Sequence, residues 1–428
     1  MTVAILIGSF SLMLLIGVPI AWCMGVASIL AIYFGHLGLP LEWFAQETLR
    51  GADAISLAAI PLFLFAGELM NRGGLTVRIM RLAEHVFGRI TGGLALVNVA
   101  TALVYGGISG SATADTGAVG SIMIPEMAKR GYPKAFAAAV TAASGTLGII
   151  GPQSVVLILY GVLTNTSIGG LLVAAILPGT FIAATFMITS YIVARRHGFP
   201  RNDAPVNWRE IGRDALGALP ALLMPALVLG SIIGGIATAT EASALAVVYS
   251  FLVGIFVYRE LPLRSLYSAA AAAAATTGVI MMIMALATPF AWILTVQQVP
   301  TDAAAWITGL HTSPLMTIVM VLLLLKVVGF WLDLGPALII LAPILVPIAL
   351  DAGMTPYQTG IAFTMTLGIG LFTPPIGTNI FVVCNVAKID MWSVSVWLVP
   401  YWIASVVCVA ALVAFPWLND GLPRLFGV

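Results

Sequence analysis

Residues 106–121 read GGISGSATADTGAVGS, small and polar around a single carboxylate, inside a chain that is 61% hydrophobic. Asp115 in this stretch and Asp333 in 329-GFWLD-333 are ionisable groups set in apolar segments, where such groups are functional candidates by default. Two further stretches, 144-SGTLGIIGPQS-154 and 366-TLGIGLFTPPIGTN-379, mix glycine and hydroxyls with Pro152, Pro374 and Pro375. Proline inside a span removes a backbone donor and frees the carbonyl four residues back. Unpaired backbone at membrane depth is tolerated only where it lines a cavity or meets a ligand. Freed carbonyls beside Ser, Thr and Asn oxygens suit a hard monovalent cation such as Na⁺, while helix N-termini at the same breaks favour an anion. The plainer reading of each proline is a kink that shapes packing. Asp115 likewise has two readings, a cation ligand or the N-cap of a helix.

These groups need membrane elements to position them. Only 8% of the 428 residues are charged, against about 25% in a soluble domain, and the mean hydropathy is +1.08. The chain is therefore read as an all-α polytopic membrane protein. Its apolar runs exceed the roughly 20 residues of a spanning helix. Runs such as 318-IVMVLLLLKVVGF-330 lack the alternation of a transmembrane barrel. Apolar segments fall at 4–35, 52–71, 92–127, 135–165, 170–194, 215–237, 240–258, 266–296, 314–350, 357–386 and 392–418. Residues 4–35 fit one long span broken at Pro19 or two short ones. Met1 leads into TVAILIGSFSLMLLIG without a basic flank or cleavage site, so this segment is expected to be retained. Cys23, Cys384 and Cys408 sit in apolar context and form no metal or disulfide pattern. A net charge of +1 gives no reason to expect nucleic acid.

Basic clusters orient the segments, because cytoplasmic loops concentrate Lys and Arg. The Arg-rich connection 195-RRHGFPRNDAPVNWREIGR-213 is assigned to the cytoplasm, with Arg72 to Arg89, Lys129 to Lys134, and Arg259 with Arg264. Segment 75-LTVRIMRLAEHVFGRI-90 has cations on one face and reads as an interfacial helix. Both flanks of 92–127 are then cytoplasmic, which predicts a re-entrant helical hairpin with the Gly/Ser stretch at its tip. The alternative is two ordinary spans joined outside.

The chain also repeats itself at an offset of 222: Gly107 with Gly329, Ile122 with Ile344, Pro125 with Pro347, Gly131 with Gly353, Gly148 with Gly370 and Pro152 with Pro374. The partner hairpin, 314–350, has no Lys or Arg in either flank, so it is expected to open outward. Two similar halves of opposite orientation form an inverted-topology repeat, the design of many secondary transporters. The halves are expected at 1–213, with a hairpin at 92–127 and a broken helix at 135–165, and at 214–428, with a hairpin at 314–350 and a broken helix at 357–386.

The motifs ISGSATAD (108–115), IPEMAKRGY (124–132), YG (160–161) and GLFTPPIGTN (370–379) resemble the large membrane subunit of tripartite ATP-independent periplasmic (TRAP) transporters. IPLFLFAGELM (60–70), ATEASALAVVY (239–249) and YREL (258–261) extend the resemblance over essentially the whole chain. It implies an elevator-type fold like that of the ion-transporter superfamily and Na⁺-driven import across a bacterial or archaeal inner membrane. The implied substrate is an organic acid, such as a C4-dicarboxylate or sialic acid, delivered by a periplasmic binding protein. A small four-helix membrane subunit is the other implied partner. By position, one Na⁺ site is implied at Gly107, Ser109, Gly110 and Ser111 with Asp115, Ser144, Gly148 and Pro152. A second is implied at Gly329 and Asp333 with Thr366, Gly370, Thr373 and Pro374. Thr378 and Asn379 are the expected substrate contacts.

Three departures stand out. The first break has one proline, in IIGPQS, where the family usually has two. ATATEA at 237–242 lacks a proline before TEA. Lys326 precedes the second tip, where it either pairs with Asp333 two helical turns on, meets an anionic substrate, or snorkels outward. The four histidines, His36, His85, His197 and His311, fall at membrane edges or loops and leave no acid–base pair for a hydrolase. An anion channel has no need of two cation sites beside paired broken helices. The remaining rival is a stand-alone Na⁺/dicarboxylate or citrate symporter of related fold.

Overall fold

The computed structural model describes residues 1–35, 37–201, 207–309, 313–374 and 377–427. Among them every regular element is helical, and seven helices are long and apolar enough to cross a bilayer. Helices α1 (Thr2–Leu15) and α2 (Ile20–Phe34) pack on each other. Gly17, at φ +84°, and Pro19 separate them, so residues 4–35 form two short helices. Proline has no N–H to continue α1, and the left-handed glycine reverses the chain.

After α3 (Leu41–Ala52), α4 (Ala59–Arg72) turns through Gly73 and Gly74 into the amphipathic α5 (Leu75–Phe87). Arg78 fixes this joint. It donates to the Gly74 carbonyl at 2.9 Å and to Glu260 Oε1 at 2.6 Å, and its guanidinium lies 4.0 Å from the centroid of the Tyr258 ring. The Arg78 hydrogen bond holds the Glu260 carboxyl below the usual glutamate range. A depressed carboxylate stabilises the fold above its unfolded pKa, and the benefit fades as pH falls through the folded value. Both groups are partly exposed, so Glu260→Gln should cost only about 0.5 kcal/mol at neutral pH. That difference from the parent should vanish in thermal melts well below about pH 4.3.

The segment 92–127 is two helices, α6 (Gly93–Ser109) and α7 (Ala112–Lys129), packed together and joined only by Gly110 and Ser111. Gly110 takes φ +66°, a left-handed cap that needs no Cβ. Ser111 starts α7, its hydroxyl accepting from the Ala114 N–H at 3.5 Å. Next, α8 (Lys134–Ser144) tightens to a 3₁₀ turn over Gly145–Ile150 and leaves helical geometry at Gly151. It resumes as α9 (Val155–Thr164), capped by Ser154 and bent by 41° from the first part. Pro152, which lacks a donor, occupies the gap.

The short α10 (Ile168–Ala174) and long α11 (Ile176–His197) follow. α12 (Trp208–Ile233) starts behind an Asn207 cap, so the division expected between residues 213 and 214 falls inside it. Polar sequence there continues into a helix because Asn207 Oδ1 accepts from the Arg209 N–H at 3.2 Å. α13 (Ala239–Leu252) opens on a reciprocal Thr238–Glu241 capping box, which serves where ATATEA lacks its proline. A π turn (Val253–Val257) leads to α14 (Leu263–Val296) and α15 (Val299–Gly309). α16 (Pro314–Gly329) and α17 (Leu334–Asp351) make the second packed pair. α18 (Pro356–Leu371), α19 (Thr378–Ala387), α20 (Met391–Ala414) and α21 (Trp417–Phe426) complete the chain.

Element boundaries recur along the chain. α17 begins and ends 222 residues after α7, and α18 begins 222 residues after α8. α18 sits at the centre, with every residue from Gln358 to Leu371 buried. α12 to α14 instead present apolar side chains outward, among them Leu219, Val248 and Phe256.

Candidate cation and anion site

Asp115 lies one turn into α7 with no exposed surface. The cap is Ser111, so the N-cap reading of Asp115 does not hold. One carboxylate oxygen accepts from the Ser109 hydroxyl, and Ser109 Oγ in turn accepts from the Ser111 N–H at 3.2 Å. The other oxygen, Oδ2, has no partner among the described residues. A buried charge in that condition is costly unless it is paired or coordinates a cation.

The α6–α7 tip docks into the break after α8 through backbone. A Cβ added to Gly148 would overlap Asp115 Oδ2, and one on Gly106 would stand 2.5 Å from the Gly148 Cα. A Cβ on Gly110 would overlap the Gln153 carbonyl, and Gly107 packs on Pro152. A Cβ on Gly151 would come within 2.8 Å of the Gly106 carbonyl. The groups shown at Asp115, its carboxylate and the Ser109 hydroxyl, are hard oxygens that suit a hard cation and not a soft metal. Ser144 belongs to a buried polar network. It donates to Asn98 Oδ1 at 3.0 Å, and Asn98 Nδ2 donates to Thr141 Oγ1 at 2.7 Å.

The second tip docks in the same manner. A Cβ on Gly370 would overlap the Gly329 carbonyl, and a Cβ on Gly329 would lie 3.3 Å from the Leu367 carbonyl. Thr366 and Thr373 donate their hydroxyl protons to Ala362 and Ile369 carbonyls at 2.7 and 2.6 Å, leaving oxygen lone pairs free to face a cation. The Gly377 N–H donates to the Thr373 carbonyl at 3.1 Å across the break that contains Pro374. Pro375 lies outside the described residues, as do His36 and His311. The two tips are not copies: Asp333 stands 222 residues after Ser111, whereas Asp115 corresponds to Ala337.

Both tips border one cavity of about 580 Å³. Gly110 and Ser111 line it from the first tip, and Asp333 and Gly335 from the second. Trp22 of α2 and Thr276 of α14 belong to the opposite wall. The N-termini of α7 and α17 thus meet the same space, presenting free N–H groups and positive dipole ends to an anion. Asp333 heads α17 without a side-chain cap bond.

The expected substrate contacts Thr378 and Asn379, and Lys326 in its reading as a substrate contact, do not line this cavity. Asn379 is fully buried and donates from Nδ2 to the Ala142 carbonyl at 3.1 Å, tying α19 to α8. Its Oδ1 and the Thr378 hydroxyl have no partner among the described residues. Lys326 makes no ion pair with Asp333. α16 ends at Gly329 and a turn through Phe330–Leu332 intervenes, so the two-turn helical spacing does not apply. The pairing expectation is corrected on that ground.

Gln153 was missed from sequence. It is fully buried, and neither amide atom has a partner among the described residues. The signal for it was its place, 222 residues before Pro375 and next to Pro152. Of the histidines, His85 Nε2 pairs with Asp214 at 2.9 Å and His197 Nδ1 lies 2.9 Å from the Val193 carbonyl, both away from the cavity.

Residues 7–418 match the family model described as "Tripartite ATP-independent periplasmic transporter, DctM component". The isethionate TRAP transporter permease protein DctMQ of Oleidesulfovibrio alaskensis is 38% identical over 90% of the chain, which spans 60% of that protein's length. The C4-dicarboxylate TRAP transporter large permease protein DctM of Pseudomonas aeruginosa is 36% identical over 90% of both chains. Among solved structures, the Alcanivorax borkumensis YdaH transporter superposes with a TM-score of 0.63 at 17% identity, covering 90% of each chain, a likeness of fold alone.

Proposed function

The chain belongs to the DctM component family of tripartite ATP-independent periplasmic transporters, and from that premise we propose that it imports a small organic anion by Na⁺ symport. It is a multi-pass transporter permease and not an enzyme. In this reading the membrane is the inner membrane, a periplasmic binding protein delivers the anion, and a small membrane subunit completes the complex. The two halves form an inverted repeat whose packed pairs α6–α7 and α16–α17 are re-entrant hairpins. The repeating boundaries and the basic flanks of one pair only support this. The hairpins with α8–α9 and α18–α19 form the moving body of an elevator, and α4 with α12–α14 form the scaffold.

One observation carries the reading: Asp115, with an unpartnered buried carboxylate oxygen, lies one turn behind the first tip, and that tip and the exposed Asp333 border one cavity that two helix N-termini face. This arrangement couples ion to substrate. A bare Asp333 carboxylate about 5 Å from a substrate carboxylate would repel it by about 3 kcal/mol at an effective dielectric near 20. A cation on Asp333 removes that repulsion and leaves the N–H groups of α17 to bind the anion. The relatives named for isethionate and C4-dicarboxylate bracket the substrate class as small acids with a sulfonate or carboxylate head.

The test is uptake into proteoliposomes. The chain with its small subunit and a loaded binding protein should accumulate the acid only under an inward Na⁺ gradient, and the chain alone should not. Robust Na⁺-driven uptake by the chain alone would overturn the tripartite reading in favour of a stand-alone symporter.

A further inference from the structure

A second, smaller cavity of about 60 Å³ lies beside the first tip, between α4, α14 and the α6–α7 junction, and shares Leu64, Ser111 and Thr276 with the large one. It has room for about two waters at about 30 Å³ each. Glu68, Tyr105, Ser109, Ser111 and Thr276 bring one carboxylate and four hydroxyls to it. Tyr105 is 1% exposed and its hydroxyl has no hydrogen-bond partner among the described residues, so a deeply buried polar group is aimed into this space unanswered. Asp115 itself lines neither of these two cavities. Its hydrogen-bond partner Ser109 does, and the cavity that Ser109 lines is this small one and not the large one.

The far end is closed by charge. Glu68 accepts from Arg72 Nε at 3.2 Å, and Arg72 Nη1 donates to Ser268 Oγ of α14 at 2.7 Å. Arg72 belongs to the basic flank assigned to the cytoplasm. Close contact of α4 with the tip fixes the near wall, since a Cβ on Gly67 would stand 3.0 Å from the Ser109 Cα.

We infer that this cavity is the inner passage for the Asp115 cation: Ser109 passes the ion to the Tyr105 hydroxyl and Glu68, and the Glu68–Arg72–Ser268 link must yield for it to leave. The inference rests on the reading of Asp115 as a cation ligand. No bond is made or broken; Arg72 keeps Ser268 as a partner while Glu68 turns to the ion. Glu68 and Tyr105 belong to the passage and not to the binding site, so removing their oxygens should slow loading and unloading alike and leave the equilibrium nearly unmoved.

The experiment is ²²Na⁺ binding and release by the full chain in lipid nanodiscs. Glu68→Gln and Tyr105→Phe should each slow release about fivefold, as about 1 kcal/mol on a barrier does, with half-saturation unchanged. Ala273→Leu, which fills the small cavity from α14, should slow it further, while Val279→Phe on the large cavity wall should not. If all three small-cavity variants release at the parent rate while Asp115→Asn abolishes binding, the site stands and the passage is overturned. If the parent binds no ²²Na⁺, or Asp115→Asn binds it as the parent does, the ligand assignment fails and the passage with it.

Discussion

Asp115→Asn should raise the Na⁺ concentration for half-maximal uptake at least about a hundredfold. The substitution preserves shape and can still accept from the Ser109 hydroxyl. It removes the one full charge at a position with no exposed surface, where a cation has no water to fall back on. Losing a charged partner in such a place costs about 3 kcal/mol, and each 1.4 kcal/mol is tenfold in a binding constant. Because Asn is neutral, it also removes the buried uncompensated charge when no ion is present. The apo variant should therefore melt no lower than the apo parent, and the parent should gain more stability from added Na⁺ than the variant, which keeps only the Asp333 site. Unchanged Na⁺ dependence of both uptake and melting would remove Asp115 from the site.

Gly370→Ala should be severely damaging for a single methyl group. The added Cβ would overlap the Gly329 carbonyl, a backbone atom at the end of α16 that cannot rotate away. Leu367, one turn before Gly370 on the same helix, also lies at contact distance from Gly329, so α16 and α18 meet there backbone to backbone. Overpacking of this kind costs about 1–3 kcal/mol, and here the strain falls on the contact that seats the second tip in its break. The repeat supplies a control. At the matching position, Gly148→Ala meets the Asp115 side chain, which can swing aside. Gly370→Ala should lower the melting temperature and abolish uptake, whereas Gly148→Ala should fold and lose Na⁺ affinity. Equal melting of the two variants would refute the distinction.

Much of this was legible in the residues. Glycines and prolines mark both tips and both breaks because these are places where a Cβ or a donor cannot be accommodated, and such constraints survive in sequence. The choice between cap and ligand at Asp115 was not legible, because it depended on whether Ser111 or Asp115 began α7, a matter of one turn. Lys326 misled for a similar reason: helical spacing predicts neighbours only while the helix lasts, and α16 stops three residues later. The division at 213/214 followed polarity, yet behind the Asn207 cap the polar residues from Trp208 onward are helical. The opposite wall of the large cavity gave no signal at all. Trp22 and Thr276 sit in ordinary apolar helices and acquire a role only from what faces them.

The complete burial of α18 from Gln358 to Leu371 changes what its hydrophobicity means. A helix at the lipid boundary is selected against polar groups because hydrocarbon offers them nothing. This one never meets lipid in the single chain: the surroundings of Gln358, Thr359, Thr364 and Thr366 are other side chains and carbonyls. Gln358 spends its amide on the Leu412 and Val413 carbonyls at 3.0 and 2.9 Å, where α20 ends. For α18 the protein is the solvent, and its polarity can be tuned residue by residue without reference to the bilayer outside.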